Sequence, residues 1–78
     1  MIHWNYRVVQ SYDRKEFFIA EVYYDDEGRM GWCDVTNSAL KWDNYKDLKG
    51  TAKLIKKAFK KPLLQVGEGD CLVEVKPA

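Results

Sequence analysis

Between His3 and Tyr12 the side chains alternate, with Trp4, Tyr6, Val8 and Tyr12 on one face and His3, Asn5, Arg7 and Ser11 on the other. This period of two predicts a half-buried strand. After the polar "DRK", the run "EFFIAEVYYD" carries Phe18, Ala20, Val22 and Tyr24 on one face and Phe17, Ile19, Glu21 and Tyr23 on the other. Both faces are apolar, which predicts a strand with neighbours on both sides. "DDEGR" then reads as a hairpin loop, Gly28 supplying the positive φ that a short loop with a bulge requires, and "MGWCDV" as the returning strand.

Residues 36 to 43 have no clear period. Asn44 next offers a helix N-cap with Asp47 three positions on, and both suit the positive end of a helix dipole. The helix is expected from Tyr45 to Lys61, with Tyr45, Leu48, Ala52, Ile55 and Phe59 as the stripe against the sheet. Pro62 ends it, because the residue before a proline disfavours helical backbone. "LLQV", "GEGD" and "CLVEVK" read as a strand, a glycine turn and a strand. The expectation is a single α+β domain over residues 1–78: an antiparallel three-stranded meander with one amphipathic helix packed on it, β-β-β-α, plus a C-terminal strand or hairpin.

Composition agrees with a compact fold. A chain of 78 residues that is 46% apolar and 14% aromatic is too rich in large rings for a disordered segment, although a domain this small buries only about 60% of the surface its unfolded chain exposes. Cys33 and Cys71 stand alone, without a CxxC pair, so neither a zinc site nor a disulfide framework is signalled and both are expected as reduced, buried thiols. With no leader-like opening and no run of 18 apolar residues, the chain is expected to be cytoplasmic and off the membrane.

The quoted motifs "NYRVV" at 5–9, "EVYYDDEG" at 21–28, "GW" at 31–32 and the helix from "DNYKDLK" to "KKAFKKPLL" resemble those of a family of small uncharacterised bacterial and phage proteins. The resemblance spans about residues 5 to 64 and implies a β-β-β-α fold, without naming an activity. The chain departs from it in a helix rich in Lys rather than Glu and in residues 65–78, an added hairpin.

Groups for enzymatic chemistry are scarce. His3, the one histidine, reads as an edge-strand residue rather than a general base. Asp25, Asp26 and Glu27 lack the spacing of a calcium loop and read as a solvated hairpin, "GEGD" reads as a turn rather than a phosphate cradle, and Cys33 has no basic neighbour to activate it. No enzyme, cofactor or metal is expected.

Charge changes the picture. The net +1 divides into −3 over residues 1–40, +6 over 41–61 and −2 over 62–78. At about 100° per residue, Lys46, Lys49, Lys53, Lys56, Lys57, Lys60 and Lys61 share one face of the helix, and their mutual repulsion costs about 1.4 to 3.5 kcal/mol in isolation. Three explanations compete: compensation by the helix dipole and by Glu68, Asp70 and Glu74; an acidic protein partner; or nucleic-acid phosphates. An overall pI of about 7.7 and the absence of clustered arginine count against a dedicated nucleic-acid binder. The leading expectation is a non-enzymatic protein-protein interaction module. Its contacts would come from Lys46, Lys49, Lys53, Lys56, Lys57 and Lys60 with the aromatics Phe17, Tyr23 and Trp32. Small size and the likeness to phage proteins suggest inhibition of a host defence complex, as by an anti-CRISPR protein. Non-specific nucleic-acid binding is the alternative. One helix cannot cover both faces of so aromatic a sheet, so the remainder is expected under the C-terminal hairpin or the 36–43 loop, or else in a homodimer or partner interface.

Overall fold

The computed structural model describes residues 3–75. Five strands form one sheet in the order β3-β2-β1-β4-β5: β1 (His3–Gln10), β2 (Phe17–Tyr24), β3 (Met30–Asp34), β4 (Leu64–Val66) and β5 (Leu72–Glu74). The first three strands make the expected antiparallel meander, with Tyr6 opposite Glu21 and Glu21 opposite Cys33. One helix, α1 (Tyr45–Ala58), then carries the chain across the sheet so that β4 lies parallel to β1, and β5 returns antiparallel to β4. The C-terminal hairpin therefore extends the sheet rather than forming a separate element.

The turns follow local chemistry. Gly28 takes φ +80° in the β2–β3 loop. There Asp25 accepts from the backbone N–H of Glu27 and of Arg29 at 2.9 Å each and pairs with the Arg29 guanidinium at 2.7 Å. Asn44 caps α1 as expected, its side chain accepting from the N–H of Lys46 and Asp47. The α-helix stops at Ala58, short of Lys61; four-residue turns from Lys57 to Lys60 and from Ala58 to Lys61 finish the segment before Pro62.

The inward stripe of α1 differs from the expected one. Leu48 and Ile55 face the sheet, but Thr51 and Ala58 are the other inward residues, whereas Tyr45 is 83% and Phe59 67% exposed and Ala52 also faces solvent. The helix is turned by about 60° from the large-residue stripe, at about 100° per residue. The reason lies across the interface. Tyr6, Val8 and Ile19 already fill this face with large side chains, so small residues on α1 let the helix approach β1. Val35 and Ala39, both from the segment after β3, close the same layer.

The other face of the sheet curls on itself. Val9, Ala20, Val22 and Leu64 are fully buried there, joined by Val66 and Leu72 and flanked by Phe18, Tyr24, Met30 and Trp32. Although β3 and the β4–β5 turn stand at opposite ends of the strand order, the Trp32 indole N–H donates to the Asp70 carbonyl at 2.8 Å and holds the two ends together. The twist of the strands supplies this curvature. The C-terminal hairpin thus shares a layer with Phe18, Tyr24 and Trp32, whereas Trp4, Phe17 and Trp42 stay exposed.

Arg7 also points into the curled face and is 8% exposed. Its guanidinium donates to the Tyr24 hydroxyl at 2.9 Å and to the Pro62 carbonyl at 2.7 Å, and Tyr24 in turn donates to Asn5. No carboxylate faces it among the described residues, and its Nε has no partner there. Burying an arginine among neutral acceptors is costly, and in return it ties β1, β2 and the α1–β4 connection at one point.

Two further expectations are corrected. Cys33 and Cys71 are free thiols as expected, but both are exposed rather than buried, because each sits on an outer strand or turn where no layer lies above it. His3 belongs to the central strand, where its ring stacks on Tyr24 with centroids 5.0 Å apart.

Candidate functional site

The seven lysines expected on one face of the helical segment are all exposed, on the arc directly away from Thr51, Ile55 and Ala58. Among the described residues the ion pairs are those of Arg29 with Asp25 and Glu27, and no helix lysine reaches an acidic side chain. Glu68 and Asp70 lie in the turn between β4 and β5, and Glu74 is opposite Leu64 on the curled face. Among the described residues, Glu68, Asp70 and Glu74 therefore do not neutralise the lysine face. What relief the fold gives comes from Lys56 and Lys57 in the last turn, next to the negative end of the helix dipole.

The aromatics named with the lysines divide. Phe17 is 62% exposed and lies with Phe59, Val8, Leu63 and Lys61 around a shallow depression beside the C-terminal end of α1. Tyr23 is on the same side of the sheet, opposite Trp4 on β1. Its hydroxyl donates to Glu21, and that bond, with burial, pushes its pKa up to about 12, so it stays a neutral donor. Trp32 takes no part in this surface: it packs on Phe18 on the curled face and its N–H is committed to Asp70.

Residues outside the expected set complete the helix side. Along the flank of α1 opposite Phe59, Trp42 and Leu54, each about half exposed, border Lys46 and Gly50. Farther along, Trp4, Tyr6, Leu54 and Ala58 line an apolar groove of about 200 Å³ whose rim carries Lys57 and Lys61. Trp4 packs edge-on against Tyr6 at 5.2 Å and forms its wall. Leu54 was legible in the sequence as an apolar residue about 100° from Ile55; Trp4 was not, since alternation alone assigns it to the core.

The acidic hairpin is tied to Arg29. Asp25 is held below the usual carboxylate range by the Arg29 N–H and guanidinium, and Arg29 also pairs with Glu27 at 3.2 Å. Among the described residues no three His, Cys, Asp or Glu side chains gather as a metal-holding group, and no helix is long and apolar enough to cross a membrane. The chain matches no protein-family model, no curated protein and no solved structure.

Proposed function

We propose that this protein is a non-enzymatic binding module that sets the lysine face of α1 and the bordering aromatics on an acidic surface of another protein. The observation that carries the reading is the run of exposed lysines without one acidic partner among the described residues. Seven like charges on so short a segment weaken the free helix, and a partner's carboxylates would relieve that repulsion while steering encounter. Phe59 and Phe17 on one flank, and Trp4, Trp42 and Leu54 on the other, supply apolar anchors beside the charge. Inhibition of a host defence complex is the specialisation we attach to this module, resting on its size and the likeness of its motifs to small phage proteins.

Affinity capture from the native cell tests the reading. Lys49→Glu with Lys53→Glu should lose the captured partner, while Lys15→Glu, on the β1–β2 turn, should keep it; equal capture by all three proteins would sink the proposal. Duplex DNA is the contrasting ligand. Binding to it that falls with salt at a log-log slope of about −0.9 per phosphate contacted would favour nucleic acid instead.

A further inference from the structure

The β1 strand is central in the sheet, yet half of one side has no strand beside it among the described residues. Pairing with β2 runs from His3 to Gln10, but pairing with β4 involves Val9 and Gln10 alone. The direction of the backbone groups follows from the ladder. The Ser11 N–H donates to the Glu16 carbonyl at 2.9 Å, which sets Ser11 and Glu16 as a hydrogen-bonded antiparallel pair. Such pairs alternate, so Val9, Arg7, Asn5 and His3 turn their N–H and C=O groups toward β2, while Gln10, Val8, Tyr6 and Trp4 turn theirs the other way. Val8 and Gln10 meet β4. Tyr6 and Trp4 do not.

Pro62 explains where the parallel ladder ends. Continued by register from Val9 opposite Leu64, residue 62 would donate to the Tyr6 carbonyl, and proline has no N–H. The chain before Pro62 bends away into α1, leaving the Trp4–Tyr6 edge beside the groove formed with Leu54 and Ala58.

We infer that this edge accepts an extended acidic peptide from the partner as an added strand, which hydrogen-bonds to Trp4 and Tyr6, seats one aliphatic side chain in the groove and places carboxylates on Lys57 and Lys61. The inference rests on the protein-binding reading above and names the chemistry of its partner segment. Unpaired edges recruit strands, and strand addition takes affinity from the backbone and selectivity from alternate side chains. The groove's volume of about 200 Å³, several times that of one water molecule, suits one branched aliphatic side chain. Charge selects the occupant: the two ionisable groups on the groove's rim, Lys57 and Lys61, are both cationic, so a second copy of this chain would bring lysine against lysine.

The probe is a fluorescein-labelled peptide, Ser-Glu-Thr-Leu-Thr-Glu-Ser, capped at both ends, with Leu central and Glu on either side of it on the same face. Wild-type protein should bind it in fluorescence anisotropy, and binding should weaken about tenfold in Lys57→Glu with Lys61→Glu but not in Lys46→Glu with Lys49→Glu. Methylating one alternate set of peptide amide nitrogens should abolish binding and methylating the other set should not, because only one set faces β1. Amide hydrogen exchange supplies a readout that needs no variant: Trp4 and Tyr6 should exchange rapidly in the free protein and slow when peptide is added. The inference is overturned by slow exchange at both amides before peptide is added, by absence of binding, by indifference to both methylations, or by equal binding of a Lys-for-Glu peptide. None of these outcomes touches the Lys49 and Lys53 capture result, so the wider reading stands or falls separately. A single-stranded oligonucleotide that displaces the peptide and shows the steeper salt dependence would assign the edge to nucleic acid.

Discussion

The two faces of the sheet are built to different standards. On the curled face Val9, Ala20, Val22 and Leu64 are fully buried, and the sheet's own ends meet through Trp32 and Asp70. On the helix face the most buried residues other than Ala58 keep 5% to 9% of their surface, and large side chains such as Phe17, Phe59, Trp4 and Leu54 stand in solvent along the margins of α1. A helix is narrower than the sheet it covers, whereas a sheet that wraps needs no second layer. Stability is therefore concentrated on the face without the helix, and the surface available for recognition on the face with it.

The comparison breaks most sharply at Leu64. Leu64→Ala should cost about 2 to 5 kcal/mol, read as a lower urea midpoint at unchanged slope, while Phe59→Ala, an equal or larger deletion of apolar surface, should stay within about 0.5 kcal/mol. Similar losses at both positions would mean that the two faces share the work. At Arg7 the expected cost is smaller and depends on what replaces the guanidinium. Arg7→Ala should lose about 1 to 3 kcal/mol, since it empties a buried space and also takes the donor from the Pro62 carbonyl and the Tyr24 hydroxyl, and Arg7→Met should recover the part that comes from volume. A methionine variant as weak as the alanine one would show that the hydrogen bonds, not the volume, matter there. The smallest effect belongs to the lysine face: Lys53→Glu turns repulsive neighbours at positions 49, 56 and 57 into attractive ones, worth about 0.2 to 0.5 kcal/mol each, and should raise the melting temperature slightly at low salt. A fall would mean that Lys53 has a stabilising partner.

Much of this arrangement could be read from the residues. The existence and order of the strands, the Gly28 loop and the Asn44 cap are local, and periodicity or turn chemistry encodes each of them, whereas β1 ends at Gln10 rather than Tyr12 and α1 at Ala58 rather than Lys61. The lysine face was legible for the same reason, since a helical repeat depends only on spacing. The rotation of α1 was not, because it depends on which side chains β1 and β2 present to it: Phe59 looks like a core residue until Tyr6, Val8 and Ile19 are seen to occupy the space. Exposure of Cys33 likewise depends on β3 being an outer strand, and the open Trp4–Tyr6 edge depends on β4 entering parallel beside β1, a crossover that no local pattern announces. Trp32 misled for the opposite reason, as a ring that reads as spare surface becomes the clasp of a curled sheet.

The hydrogen bond from Arg7 to the Pro62 carbonyl spans 55 positions. Until α1 has crossed and β4 has arrived, β1 can pair only with β2, and the Val9 side chain lacks its cover from Leu64. The meander and the helix can form early from contacts close in sequence, but the fully buried core is completed by contacts such as that of Val9 with Leu64, 55 positions apart. Closure of long loops sets the pace of such steps, so this small domain should fold through a late, slow docking of its C-terminal hairpin.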